Sequence, residues 1–195
     1  MDFKEKIAWL RSNPIIGKTV DLIPYTMEHL DETIALRNQE KAKYNMTQEY
    51  DINREQQIEW IKKYELKDDE FGHIIRNKRN ETVGISFCYN YDGESMEIGR
   101  AAFDLERIVG MPYAFETSKI SADLVFDYLE LPMFKTIVKS DNHALLKFYK
   151  KLKWTNTGTC VVRNQVYENL VLYKADYNYH NFSNILEARQ NKFQS

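Results

Sequence analysis

Asp104-Leu105-Glu106-Arg107-Ile108-Val109-Gly110-Met111-Pro112 lies between a run that alternates like a strand, Met96 to Phe103, and a long stretch of helical period that follows. Its core reads R-x-x-G-x-P, with Arg107 and Gly110 as the spaced polar and flexible positions. A tight turn that opens a helix aims backbone N–H groups and the positive helix end at an anion, most often a phosphate. R-x-x-G alone carries little information; the strand before it and the helix after it give it meaning. The other reading is a plain strand-to-helix turn in which Gly110 only permits an unusual backbone angle.

Working outward, Phe71 to Arg76, Thr82 to Tyr89 and Met96 to Phe103 read as three strands, with turn residues at Asn77 to Asn80 and at Asp92-Gly93. An antiparallel meander is expected. Upstream, Thr19 to Pro24 reads as a strand that proline ends. Residues 2–11 have helical character, Thr26 caps a helix over 27–38, and Asn53 with Gln56 forms a capping-box pattern before Ile58, Trp60 and Ile61. Downstream, Ile120, Leu124 and Tyr128 recur along a helix over 113–129 that Leu131-Pro132 stops. A strand over Phe134 to Lys139, a helix over 142–151 and a hairpin of 155–162 with 166–174 complete the order β-α-α-β-β-β-α-β-α-β-β. This is an α+β chain with a mostly antiparallel sheet of about seven strands. With no repeat, low-complexity run or Gly/Ser linker, one domain over 1–195 is expected: an N-terminal helix in 1–17, a core over 18–174 and an extension over 175–195 with a helical pattern at Asn184–Lys192.

Composition narrows the function classes. Lys plus Arg is 27 against Asp plus Glu at 29, so a general nucleic-acid binder is not indicated. Arg76-Asn77-Lys78-Arg79 falls on an expected turn and reads as a solvated loop. Cys88 and Cys160 fit no metal spacing and read as buried reduced thiols. His29, His73, His143 and His180 never pair at ligand spacing, so no metal site is expected. The N-terminus lacks a signal-peptide core and no apolar run reaches membrane-spanning length, which points to a cytoplasmic protein without a membrane partner. No G-x-x-x-x-G-K-[ST], G-x-G-x-x-G or G-x-S-x-G is present.

A second segment is more specific: Val138-Lys139-Ser140-Asp141-Asn142-His143-Ala144-Leu145-Leu146-Lys147-Phe148-Tyr149-Lys150-Lys151-Leu152-Lys153-Trp154. It resembles the V-x-x-x-N-x-x-A-x-x-x-Y-x-k-x-G-F pattern of the GNAT superfamily of acyl-CoA N-acyltransferases, departing at Leu145 and at Lys153-Trp154. The Arg107 to Pro112 loop resembles that family's (Q/R)-x-x-G-x-(G/A), departing at Pro112, which has no N–H to offer a phosphate. Its fixed φ still suits the first turn of a helix. The likeness covers residues 18–174 and implies acetyl-CoA as cofactor, held by Phe103, Arg107, Ile108, Val109, Gly110, Met111, Asn142 and Phe148. Asn142 is also, independently, a favoured N-cap.

The resemblance implies that Tyr149 is the general acid. A phenol of ordinary pKa about 10 is protonated at neutral pH and suits a thiolate leaving group. Otherwise it is a core residue of a helix face. Glu97, in Glu97-Ile98-Gly99-Arg100, resembles the family's E-I-G-Y/R and is the candidate base, directly or through water, unless alternation turns it to solvent. His73 and Glu94 are weaker candidates. In the N-terminal half, Leu36-Arg37-Asn38 and Trp60 look like the branch with amino-sugar-nucleotide and ribosomal-protein N-terminal acetyltransferases. Arg37 would then contact a nucleotide phosphate or sugar, for which its planar fork is suited; on a solvated helix face it would contact nothing. The expected acceptor is the primary amine of a small molecule, with a protein N-terminus as second reading and non-catalytic acyl-CoA binding as third. The resemblance also implies that a homodimer can form.

Overall fold

The computed structural model describes residues 1–46, 48 and 50–178; the helical pattern at Asn184–Lys192 and His180 lie outside the described residues. Eight strands form one sheet, β1 (Ile15–Ile16), β2 (Val20–Pro24), β3 (Phe71–Asn77), β4 (Thr82–Tyr89), β5 (Ser95–Phe103), β6 (Met133–Lys139), β7 (Thr155–Val162) and β8 (Gln165–Tyr173), in the order β1-β2-β3-β4-β5-β6-β8-β7. Every pairing is antiparallel except β5 with β6. The strand beyond those expected is the two-residue β1, too short for alternation to mark it.

The helices are α1 (Phe3–Leu10), α2 (Leu30–Arg37), α3 (Glu40–Asn45), α4 (Arg54–Glu65), α5 (Leu105–Ile108), α6 (Tyr113–Asp123) and α7 (His143–Lys151). The Asn53 capping box forms in full: Gln56 N donates to Asn53 Oδ1 at 2.9 Å and Asn53 N to Gln56 Oε1 at 3.1 Å. Two corrections concern short elements. α3 and α5 are each too short to leave a periodic trace, and the helix expected from residue 27 begins as a 3₁₀ turn, Met27–His29, before α2. The helix over 113–129 is α6 continued by a π-helical turn, Leu124–Tyr128.

Helices cover both faces of the sheet. Ile7, Leu10, Leu22, Phe71, Ile75, Phe126 and Phe134 belong to one core; Tyr25, Leu30, Leu36, Ile61, Tyr64, Ile74 and Phe87 to the other. β3 serves both: Phe71 and Ile75 point one way and Ile74 the other, as the two-residue period requires. Each of the fully buried phenylalanines contributes roughly 1.5–3 kcal/mol by leaving water. Cys88 is buried as expected, but Cys160 is only half-buried, because β7 is an edge strand with little covering it.

His73 on β3 is sealed in the core, one ring nitrogen bonded to the Leu10 carbonyl and Nε2 without a partner. Burial holds the imidazole neutral and pushes its pKa down to about 4, from an ordinary 6.5. The unfolded chain therefore binds the proton first as pH falls. This contribution to stability is complete above the unfolded value and is lost between there and about pH 4, by about 3 kcal/mol. Denaturant midpoints measured at pH 7.5 and pH 4.5 check it: the wild type is expected to lose clearly more stability than His73→Leu, and equal losses would refute the assignment.

Candidate active site

The site lies where two central strands part. β5 and β6 pair only through Ser95–Met133, Met96–Phe134 and Glu97–Lys135. At the next position the Thr136 hydroxyl donates to the Ile98 carbonyl at 2.8 Å, a side chain taking the place of a ladder donor. Beyond it β6 continues along β8 and β5 along β4, so the two diverge. A bulge assists: the β4–β5 register shifts between Ile85 and Phe87, and Arg100 sits at φ 48°, a left-handed conformation that strains a non-glycine residue. The parted strands bound a cleft of about 830 Å³, within the range of small-molecule sites. Its floor beyond that bond, Gly99 to Phe103, is a strand with no ladder partner on the cleft side, able to offer backbone groups to an extended, amide-bearing ligand.

One wall begins at the 104–112 loop. Asp104 Oδ1 accepts from Glu106 N at 3.1 Å and Arg107 N at 3.4 Å, winding the segment into α5, and Met111 N bonds Ile108 O at 3.0 Å. Gly110 takes φ 79°, the left-handed angle that glycine adopts freely. α6 opens on Pro112 with no side-chain cap, leaving its positive end for an anion or water. Ile108 and Phe103 line the cleft; Met111 packs on the core, and Val109 is 78% exposed. Arg107 turns away from the cleft, its Nη1 donating to Thr82 O at 3.1 Å and its Nε 3.3 Å from Asp104. Among the loop's expected cofactor contacts, the structure thus places Phe103 and Ile108 on the cleft wall and the side chains of Arg107, Val109 and Met111 off it. Thr117 of α6, which the sequence did not single out, lines the cleft with a buried hydroxyl that has no partner.

The opposite wall is α7. Asn142 Oδ1 caps it by accepting from Leu145 N at 3.1 Å, while Nδ2 donates to Asn45 Oδ1 at 2.7 Å. Both ends of this amide are engaged, and they tie α7 to α3 across the cleft. Phe148 faces the cleft against Phe115, ring centroids 4.7 Å apart. Tyr149 is half-buried at the apex, its hydroxyl hydrogen-bonded to Thr136, and desolvation pushes its pKa up to about 12. Trp154 packs its ring against Tyr149 at 4.9 Å and Phe134 at 5.5 Å. Lys153 before it stands at φ 67°, so the Lys-Trp pair makes the left-handed step for which the resembled pattern carries glycine.

Glu97 also lines the cleft. Its carboxylate accepts from Tyr89 Oη at 2.7 Å and Asn90 Nδ2 at 3.1 Å, and burial together with this negative charge raises the Tyr89 pKa. Arg100 stacks over Tyr89 at 4.0 Å and donates to Glu70 at 3.1 Å. Arg37 reaches the cleft from α2. Of the weaker candidates, His73 is in the core away from the cleft and Glu94 is exposed in the β4–β5 turn. Burial raises the Cys88 pKa, keeping the thiol protonated and unsuited to nucleophilic work. The basic stretch at 76–79 is held in local pairs: Arg76 with Glu32 at 3.1 Å and Lys78 with Asp21 at 2.5 Å. Among the described residues no His/Cys/Asp/Glu group could hold a metal, and no helix is long and apolar enough to cross a membrane.

Residues 20–155 match the model of the acetyltransferase (GNAT) domain. No curated protein sequence matches the chain. Among solved structures it is similar to a GCN5-related N-acetyltransferase from Brucella melitensis, at 18% identity and TM-score 0.73, over 92% of this chain and 84% of that one. It is similar to the spermidine N-acetyltransferase of Vibrio cholerae in complex with CoA and spermine, at 16% identity and TM-score 0.74, over 83% and 99% of the two chains. FdhC, described as a nucleotide-linked sugar GNAT, aligns at 16% identity and TM-score 0.74, over 89% and 97%. The chain belongs to the GNAT acetyltransferase family and is an acetyl-CoA-dependent acyltransferase.

Proposed function

We propose that the protein transfers an acetyl group directly from acetyl-CoA to a primary amine of a small molecule, an amino-sugar nucleotide being the acceptor class that the sequence resemblance favours. The observation that carries this reading is the parting of β5 and β6 with the Tyr149 hydroxyl at its apex. The residues suit the cofactor: the unpartnered Gly99 to Phe103 edge fits a pantetheine arm, the uncapped end of α6 fits a pyrophosphate, and Thr117 brings an unpaired hydroxyl. Bound acetyl-CoA supplies an activated thioester. Tyr149 keeps its proton at neutral pH and gives it to the departing sulfur as the acyl C–S bond breaks and the C–N bond forms. Glu97 takes the proton that the amine gives up, directly or through water.

Arg107 enters this proposal through the loop backbone, since its guanidinium belongs to the Asp104 and Thr82 contacts. One catalytic unit spans residues 18–174, with 175–195 as an extension, and two free thiols at Cys88 and Cys160 accord with a cytoplasmic setting. A protein N-terminus as acceptor calls for an acidic groove. The cleft lining instead carries Arg37, Lys41, Arg100 and Arg163 against Asp51 and Glu97, which favours the small-molecule reading.

Isothermal titration with acetyl-CoA, CoA and ATP tests the cofactor site. Micromolar binding of acetyl-CoA that ATP does not reproduce, followed by thiol release with an amine, is the expected result. No binding of acetyl-CoA would overturn the reading.

A further inference from the structure

Arg37, on the last turn of α2, lines the cleft together with Gln57, Trp60 and Arg100. Its Nε is buried without a hydrogen-bond partner, and among the described residues no carboxylate pairs with it. Desolvation, reinforced by the like charge of Arg100, depresses its pKa. Arg100, the cation beside it in the cleft, pairs with Glu70 at 3.1 Å, and elsewhere Arg76 pairs with Glu32 at 3.1 Å and Lys43 with Asp51 at 2.7 Å. Among the described residues two carboxylates line the cleft, and both have other partners, Asp51 in Lys43 and Glu97 in Tyr89 and Asn90. A partly buried guanidinium with no counterion is poorly compensated, so one that lines a ligand cleft calls for an anion from the ligand.

We propose that Arg37 is the anchor for an oxyanion on the acceptor, so that the substrate is an amine that also carries a phosphate or a carboxylate. This rests on the N-acetyltransferase reading above and names the side chain that would select the acceptor within it. The planar fork of arginine binds either group through two parallel N–H donors. The same charge disfavours polycations: a polyamine, the acceptor of the Vibrio cholerae neighbour, would meet the positive charge of Arg37 in the cleft.

The test compares wild type, R37M and R37K in thiol release with a neutral amino sugar, its phosphate ester, an α-amino acid and its amide, and spermidine. The anionic member of at least one matched pair is expected to exceed its neutral partner roughly 10–100-fold in kcat/KM. Which pair does so distinguishes phosphate from carboxylate. R37M is expected to erase that preference, the anionic and neutral members of the pair reacting at equal rates in this variant, and R37K to restore part of it. Without ligand R37M is expected to melt at higher temperature than wild type, because an unpaired, partly buried charge has gone. A preference that survives in R37M, equal rates on charged and neutral amines, or a lowered melting temperature would overturn the proposal. Failure of the acetyltransferase reading would show separately, as lack of acetyl-CoA binding by wild type; pyrophosphate and succinate binding to wild type against R37M then decides the anion site, and equal binding would overturn it.

Discussion

Tyr149→Phe is expected to lower kcat by about two to three orders of magnitude, the usual contribution of a positioned acid. The cofactor Kd and the fold are expected to hold. Phenylalanine keeps the ring contact with Trp154, and the Thr136 hydroxyl still has the Ile98 carbonyl as acceptor, so no buried donor is orphaned. Since burial pushes the tyrosine pKa up to about 12, the wild-type kcat is not expected to fall through titration of this group until the pH approaches that value. Thiol release at saturating acetyl-CoA, with a thermal melt and a cofactor titration on the same variant, checks each point. Wild-type turnover in the variant would remove Tyr149 from the chemistry and leave it as packing.

Glu116→Ala is expected to lower the unfolding free energy by about 3 kcal/mol or more, the penalty for leaving several part-buried donors unpaired. Glu116 is a buried carboxylate on α6 that accepts from Lys18 N, Thr19 N at 2.7 Å, the Thr19 hydroxyl and Val20 N at 3.2 Å. It gathers the turn into β2 and fastens it to the helix that walls the cleft. Gly17 stands close by; a Cβ there would fall 2.8 Å from Glu116 Oε1. Denaturant unfolding is expected to show a lowered midpoint at unchanged slope. A midpoint within a few tenths of a kcal/mol of wild type would mean that water replaces the carboxylate.

Much of the fold was legible along the chain because it is written in short-range chemistry. The Asn53–Gln56 box, the Asn142 cap, the Asp92-Gly93 turn and the Leu131-Pro132 stop are local devices, and each appears in the structure where its residues stand. The elements left unread, β1, α3 and α5, are too short for a period to emerge. Site residues divide in the same way. Glu97, Tyr149, Phe148 and Asn142 could be named from spacing and resemblance, and all four line one cleft. The outward turn of Arg107 could not, because it depends on Asp104 and on a Thr82 carbonyl supplied by a different strand.

By itself the sequence determined the alternation of the longer strands and helices, several of their caps and stops, and the family, all carried by neighbours a few residues apart. Only the tertiary structure decided that Thr136 closes the β5–β6 ladder at Ile98, that Tyr149 stands half-buried at the opening so formed, and that Arg37 enters it without a counterion among the described residues. Those properties depend on desolvation and on partners distant along the chain, and burial and charge pairing come into being only when the chain has packed.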